Sequence, residues 1–193
     1  VFPSVPLLKM KSYASAALQR HTNLVLNILY ARSSVVFIPG RQRGHHVGVG
    51  KINATYNTLK LINIHKPKLI INYGTAGAIN TKLKGIVECT KFYQRDMDVR
   101  GLDFELGETP FDKIKEIITS KDGYSCGTGD SFVNKKIDME VDVVDMEAYA
   151  IAKICKLENI EFKCFKYISD NADENADCDW NKNLAQGASA FAS

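Results

Sequence analysis

Apolar and polar positions change period several times along the chain. From Ile52 to His65 apolar residues recur at 52, 56, 59 and 62, a helical stripe, and Lys68 to Tyr73 (KLIINY) is a short apolar run ending at Gly74 that predicts a buried strand. Phe111 to Thr119 (FDKIKEIIT) predicts a second amphipathic helix and Val141 to Val144 a short strand. Met146, Ala150, Ile154 and Leu157 line one face of a third helix, and Glu161 to Ile168 reads as a strand. Helices interleaved with strands predict the α/β class: a central mixed, mostly parallel sheet flanked by helices. No repeat, low-complexity tract or linker interrupts the pattern, so residues 1–193 read as a single domain.

Composition narrows the class. With 45% hydrophobic and 24% charged residues the chain sits at the globular average, which excludes disorder, collagen and coiled coil. Its 5 cysteines lie far apart with no C-x-x-C, so neither a disulfide framework nor a zinc site is implied, and a reducing, cytoplasmic setting is expected. The longest apolar candidate, Asn23 to Ile38, carries Arg32 in its middle, which argues against a membrane span. The net charge of +3 is unevenly spread: the first acidic residue is Glu88, so the N-terminal part is wholly basic and should attract the acidic remainder. Those cations stand singly between apolar runs, without the clusters and interleaved aromatics of a nucleic-acid stripe, so nucleic acid is not an expected partner. The opening 45 residues, acid-poor with Ser and Arg, share features with a transit peptide, but Pro3, Pro6 and the apolar stretch Leu24 to Leu29 weaken that reading.

In such sheets ligands bind beyond the carboxyl ends of the strands. Three clusters stand there: Gly74-Thr75-Ala76-Gly77-Ala78, where small residues let backbone approach a ligand; Val144-Asp145-Met146-Glu147-Ala148, where a carboxylate in a first helical turn is kept ionised by unpaired N–H groups; and Ile168-Ser169-Asp170-Asn171-Ala172-Asp173, a polar burst after the last strand. Singly, each is a turn, a cap or a turn initiator. Together they favour a pocket.

The wording and order of these clusters resemble the purine nucleoside phosphorylase and nucleosidase superfamily, most closely the 5′-methylthioadenosine/S-adenosylhomocysteine nucleosidases. The likeness runs through VGVGKINA, KPKLIINYGTAGAI, DMDV with GETPF, GTGDSFVN, VVDMEAYAIAKIC and KYISDNAD. It implies a nucleoside phosphorylase-like α/β domain, usually a homodimer, that cleaves the N-glycosidic bond of a purine nucleoside with no cofactor and no metal. Breaking that bond leaves positive charge on the sugar and negative charge on the base, so a proton donor and polar groups around the ribose are needed. By resemblance Asp170 is the acid, Ser169 orients it, and Lys166 stands where the family has an arginine. Glu147 accepts the ribose hydroxyls, Met146 packs on the sugar, Phe132 stacks on the base, and the backbone of Val133 reads the adenine edge. Thr75, Ala76 and Gly77 form the Gly-rich wall, while Val49, Val99 and Leu102 match the apolar 5′ wall shared with a partner subunit.

Departures bear on activity. The family's water-activating glutamate lies at the end of the first strand, and this chain has no acid before Glu88. Val1 to Arg20 does not resemble the opening strand, residues 1–45 read as diverged, and Ser193 falls before the family's last helix ends. The arginine that phosphate-binding relatives place before the Gly-rich turn is replaced by Asn72-Tyr73, which favours hydrolysis. GVGK is not a P-loop, because the spacing fails at His45 and Ile52. The leading expectation is therefore a nucleosidase, impaired by the missing base. A phosphorylase or an AMP-type nucleosidase using Arg41, Arg43 and Arg95, and a non-catalytic purine-binding protein, remain alternatives.

Overall fold

The computed structural model describes residues 34–41, 43–174, 176, 178–180, 183, 186, 187 and 190. The readings of Val1 to Arg20 and of most of the transit-like opening lie outside the described residues. Of the stretch called diverged, residues 34–37 are a strand of the sheet.

In chain order the elements are β1 (Ser34–Phe37), β2 (His45–Gly48), α1 (Lys51–His65), β3 (Leu69–Ala78), β4 (Ile86–Gln94), a 3₁₀ turn (Arg100–Leu102), β5 (Glu116–Ile118), β6 (Tyr124–Thr128), β7 (Val143–Asp145), α2 (Ala148–Leu157) and β8 (Glu161–Asp170). The described residues from Ala176 to Ala190 are helical. The strands form one sheet of 8, and five of them close on themselves: β3 pairs β7, β7 pairs β6, β6 pairs β4, β4 pairs β8, and β8 returns to β3. Closure removes the unpaired edges that an open sheet would present, leaving β1, β2 and β5 outside the ring, with β2 and β5 at the free edges. The sheet is mixed, as expected. Its parallel share is smaller than the interleaving of helices suggested, with β3–β8, β4–β6 and β6–β7 parallel and five pairs antiparallel.

The ring is filled and flanked by apolar side chains. Ile70, Cys89, Phe92, Cys126, Val143, Ile151 and Phe162 belong to one buried cluster, with Phe92 and Phe162 edge to face at 5.3 Å. A smaller cluster of Val35, Phe37, Ile71, Tyr73 and Phe165 packs around β1 and β3. Because β3 is covered on both faces, its sequence is a near-continuous apolar run instead of an alternation.

Several expectations need correction. The buried face of α1 is Ala54, Thr58 and Ile62, whereas Ile52 and Tyr56 of the expected stripe point to solvent at 81% and 66% exposure. Phe111 to Thr119 is a turn followed by β5, not a helix. Phe111 takes a left-handed φ of 63° after Pro110, and Ile117 is buried where β5 pairs with β4. The segment Gly74 to Ala78 continues strand β3 and is no turn. Leu157, expected on the inner face of α2, is exposed, while Ala148 to Ala152 and Cys155 are buried. Among the described residues the attraction expected between basic and acidic parts is carried by Lys51 with Asp96 and Asp130; the other ion pairs join residues beyond Glu88. No helix among the described residues is long and apolar enough to cross a membrane.

Phe92 is fully buried in the larger cluster, against Phe162. Phe92→Ala is expected to lower the unfolding free energy by about 3 to 5 kcal/mol in urea titrations; a loss below about 1 kcal/mol would mean that this cluster is not the principal core.

Candidate active site

Strands β3, β7 and β8 deliver their carboxyl ends to one cavity of about 410 Å³. It is lined by Val49, Thr75, Ala76, Gly77, Phe132, Val133, Met146, Glu147, Ser169 and Asp170, all expected from sequence, together with Ser34, Gly74, Arg95, Ser131, Val144, Asp145 and Trp180. Val99 and Leu102 do not line it. They lie at the 3₁₀ turn, where Leu102 is 66% exposed. Lys166 sits beneath the cavity, fully buried.

A bulge aims the acid. β8 runs in register with β3 as far as Ala76 opposite Ile168, and then Gly77 faces Asp170, leaving Ser169 as the extra residue. Two consecutive side chains of a regular strand would point to opposite faces, but here both line the cavity. Ser169 Oγ donates to Asp170 Oδ2 at 2.8 Å, and the Ala172 N–H donates to Oδ1 at 2.9 Å. Burial raises the Asp170 pKa above the ordinary carboxylate value, against these two hydrogen bonds. Gly77 is required opposite it, since a Cβ there would lie 2.5 Å from Oδ1.

The DME cluster divides its work differently from expectation. Asp145, not Glu147, is the carboxylate held at the helix start: its Oδ2 accepts the Ala148 N–H at 2.8 Å and its Oδ1 accepts Thr128 Oγ1 at 2.6 Å. Lys166 Nζ lies 2.8 Å from Oδ2 in a wholly buried ion pair without good hydrogen-bond alignment, so the ammonium has no aligned acceptor among the described residues. Burial alone would discharge both groups, yet each holds the other ionised, Lys166 above and Asp145 below its usual value. Glu147 occupies the N-cap position of α2 without capping it, and its Oε1 accepts the Gly50 N–H at 2.9 Å. Burial, with the charge of Asp145 beside it, pushes Glu147 up to about 7.

The segment carrying Phe132 and Val133 is held from below. Arg95 donates to Gly129 O at 3.2 Å and to the Ser131 carbonyl, and Asp130 accepts the Lys51 N–H at 2.7 Å, which ties the loop to the start of α1. Phe132 lies 6.5 Å from Trp180, edge to face. The helix bearing Trp180 docks through Trp180 Nε1 to Thr75 Oγ1 (2.9 Å), Asn183 Nδ2 to Ser169 O (2.8 Å) and Tyr73 OH to Gly187 O (2.6 Å). Sequence reasoning gave Trp180 and Ser34 no role. The chain's single tryptophan on a polar stretch was the available signal for the former; nothing marked the latter. Arg41 and Arg43 are exposed and outside the cavity. Among the described residues no group of His, Cys, Asp and Glu suits a metal ion.

No protein-family model matches the sequence. The chain is 30% identical to the 5′-methylthioadenosine/S-adenosylhomocysteine nucleosidase of Haemophilus influenzae, over 93% of this chain and 94% of the relative. In fold it is similar to the futalosine hydrolase of Helicobacter pylori, with a TM-score of 0.74 at 20% identity over 87% of this chain and 88% of the other. It is also similar to the 5′-methylthioadenosine/S-adenosylhomocysteine nucleosidase of Helicobacter pylori, with a TM-score of 0.73 at 21% identity over the same shares.

The elevated Glu147 has a definite sign. Its folded pKa of about 7 stands above the ordinary 4.5, so the stability of the neutral form is full below 4.5 and is lost as pH rises to 7, then stays constant. Glu147→Gln removes that loss. Its unfolding free energy relative to the wild type is expected to rise by about 2 to 3 kcal/mol between pH 5 and pH 8. A flat difference across that range would remove the buried, elevated carboxyl.

Proposed function

The chain belongs to the 5′-methylthioadenosine/S-adenosylhomocysteine nucleosidases, a family of N-glycosyl hydrolases, and from that premise we propose that it hydrolyses the C1′–N9 bond of a 5′-thio-substituted adenine nucleoside, releasing adenine. The observation that carries the reading is the Asp170 carboxyl, 8% exposed in the cavity wall, raised in pKa by burial and gripped by Ser169 and Ala172. A carboxyl whose burial favours its protonated form donates that proton to purine N7 as the bond breaks, and neutralises the leaving base. Phe132 offers a ring face to the base, and the Val133 backbone one donor and one acceptor to its edge. Glu147 accepts from the ribose hydroxyls and Met146 packs on the sugar. Water attacks C1′ from the opposite side of the ring.

Activity is weak in this proposal. No acid precedes Glu88, and general-base assistance is typically worth about 10²- to 10⁴-fold. Lys166 supplies a point charge near the sugar but not the planar fork of an arginine. A second reading, a substrate with an acidic substituent such as a nucleotide, has one observation in its favour: Arg95 lines the cavity. Its guanidinium is already engaged with Gly129 and Ser131, so the neutral thioether is preferred.

The chain acts as a homodimer in this reading. Val49 lines the cavity and is exposed, Ile52 and Tyr56 are exposed on the helix α1 that follows it, and Leu102 is exposed at the 3₁₀ turn, so a second copy covers apolar surface and closes the 5′ side. Leu102→Glu is expected to shift sedimentation from dimer to monomer and to raise KM; a wild-type monomer at micromolar concentration would overturn the shared 5′ wall.

Incubation with methylthioadenosine and chromatographic detection of adenine tests the reaction. Turnover independent of added phosphate is expected, with Asp170→Asn slowing it by at least about 100-fold. Undiminished turnover in that variant removes Asp170 as the acid, and phosphate-dependent turnover would mark a phosphorylase.

A further inference from the structure

The hydrogen bond between Trp180 and Thr75 lies inside the cavity and has a fixed direction. An indole Nε1–H donates and cannot accept, so Thr75 Oγ1 is the acceptor at 2.9 Å. The hydroxyl proton of Thr75 then has no acceptor among the described residues. A second cavity hydroxyl is arranged the same way. Asn72 Nδ2 donates to the Val35 carbonyl at 3.1 Å, which fixes the orientation of the amide, and the same nitrogen donates to Ser34 Oγ at 2.5 Å. Ser34 therefore also receives a hydrogen bond and keeps its own proton unspent. Gly74 lies between the two groups: a Cβ built on it would be 3.4 Å from Ser34 Oγ and 3.3 Å from Lys166 Nζ, whose N–H groups lack an aligned acceptor. This end of the cavity offers donors. Glu147, which among the described residues accepts from the Gly50 N–H alone, is an acceptor in the same cavity.

We propose that Trp180 is a positioning residue that acts through Thr75, fixing its hydroxyl as a donor to an oxygen of the bound ligand, so that the cavity selects a sugar hydroxyl able to receive from Thr75 while giving its proton to Glu147. The inference rests on the nucleoside reading of the same site and deepens it: specificity for an intact diol comes from paired donor and acceptor, not from Glu147 alone. A deoxy sugar leaves both the Thr75 proton and a buried carboxyl unanswered, which is why such a site rejects it more strongly than loss of one contact would. The tryptophan adds shape through its edge contact with Phe132, which phenylalanine retains.

A double-mutant cycle tests it. Trp180→Phe keeps a ring but removes the N–H, and frees the Thr75 hydroxyl to rotate. In the Thr75 background this substitution is expected to raise KM for methylthioadenosine about 5- to 10-fold with kcat nearly unchanged, the size of one neutral hydrogen bond. In a Thr75→Val background the same substitution is expected to change KM less than about 2-fold, and Thr75→Ser to restore the larger effect. A nucleoside lacking the hydroxyl that Thr75 serves should bind wild type and Trp180→Phe alike. Equal effects of Trp180→Phe in both backgrounds, or an equal penalty with every deoxy analogue, would overturn the proposal. Trp180 is the chain's single tryptophan, so its fluorescence reports ligand binding in the wild type. If no nucleoside binds, both readings fall; if nucleosides bind and are cleaved while the two effects simply add, this one alone falls.

Discussion

The buried ion pair between Lys166 and Asp145 is the constraint around which the rest of the site is arranged. Four strands of the closed ring meet there: Gly74 of β3, Thr128 of β6, Asp145 of β7 and Lys166 of β8. Neither charge reaches solvent. Such a pair contributes little net stability against apolar residues of equal volume, but removing one partner strands the other and costs about 3 to 5 kcal/mol. Its value is therefore geometric. Thr128 donates to Asp145 and accepts the Tyr149 N–H at 2.9 Å, so the pair also sets where α2 begins. From that fixed start, Glu147 is turned into the cavity and away from its helix.

The same pair sets the electrostatics. Asp145 is held ionised by Lys166, and its negative charge, added to burial, is what lifts Glu147 toward neutrality. Asp170, on the next strand end, is raised by burial and lies beyond the bulge at Ser169. Three carboxyls thus share one cavity in different states: one anchored and charged, one near its titration point, one shifted toward the protonated form. Environments that pull like groups apart in pKa are what allow one pocket to offer both acceptor and donor at the same pH.

The cavity was more legible in the sequence than the sheet. Strand β3 is an apolar run covered on both faces, and β8 (EFKCFKYISD) keeps apolar residues at 162, 164, 165, 167 and 168 around Lys163 and Lys166, so both are visible, whereas β4 (IVECTKFYQ) breaks its apolar pattern at Glu88 and Lys91 and β6 (YSCGT) has almost no apolar signal; the latter two owe their pairing to the ring. The stripe at 52, 56, 59 and 62 was genuine helical periodicity read onto the wrong face, because small Ala54 and polar Thr58 are the residues that fit against α2. FDKIKEIIT had helix spacing, but Ile117 found a partner in β4 and the left-handed Phe111 broke the turn. The cluster residues can be named because three small or acidic clusters fall at successive strand ends and their wording and order carry the family resemblance. How Asp145 and Glu147 divide their roles cannot, since that depends on Lys166 arriving from β8 and on Gly50 just before α1, both distant in the chain.

An acid-free N-terminal part is consistent with this arrangement of charges. Ser34, from that part, stands beside Gly74 at the ammonium end of the cavity, and Asn72 clamps it. A carboxylate in its place would add a third acid to one ammonium that Asp145 already neutralises. At an effective dielectric near 20, two like charges about 5 Å apart repel by roughly 3 kcal/mol. That repulsion would drive Glu147 further toward its neutral form and weaken its capacity to accept. Exchanging arginine for lysine points the same way, because an ammonium spent on Asp145 has no second fork to hold another carboxylate. With the Lys166 ammonium committed to Asp145 and an uncharged Ser34 beside it, Glu147 keeps its capacity to accept a hydrogen bond in the cavity.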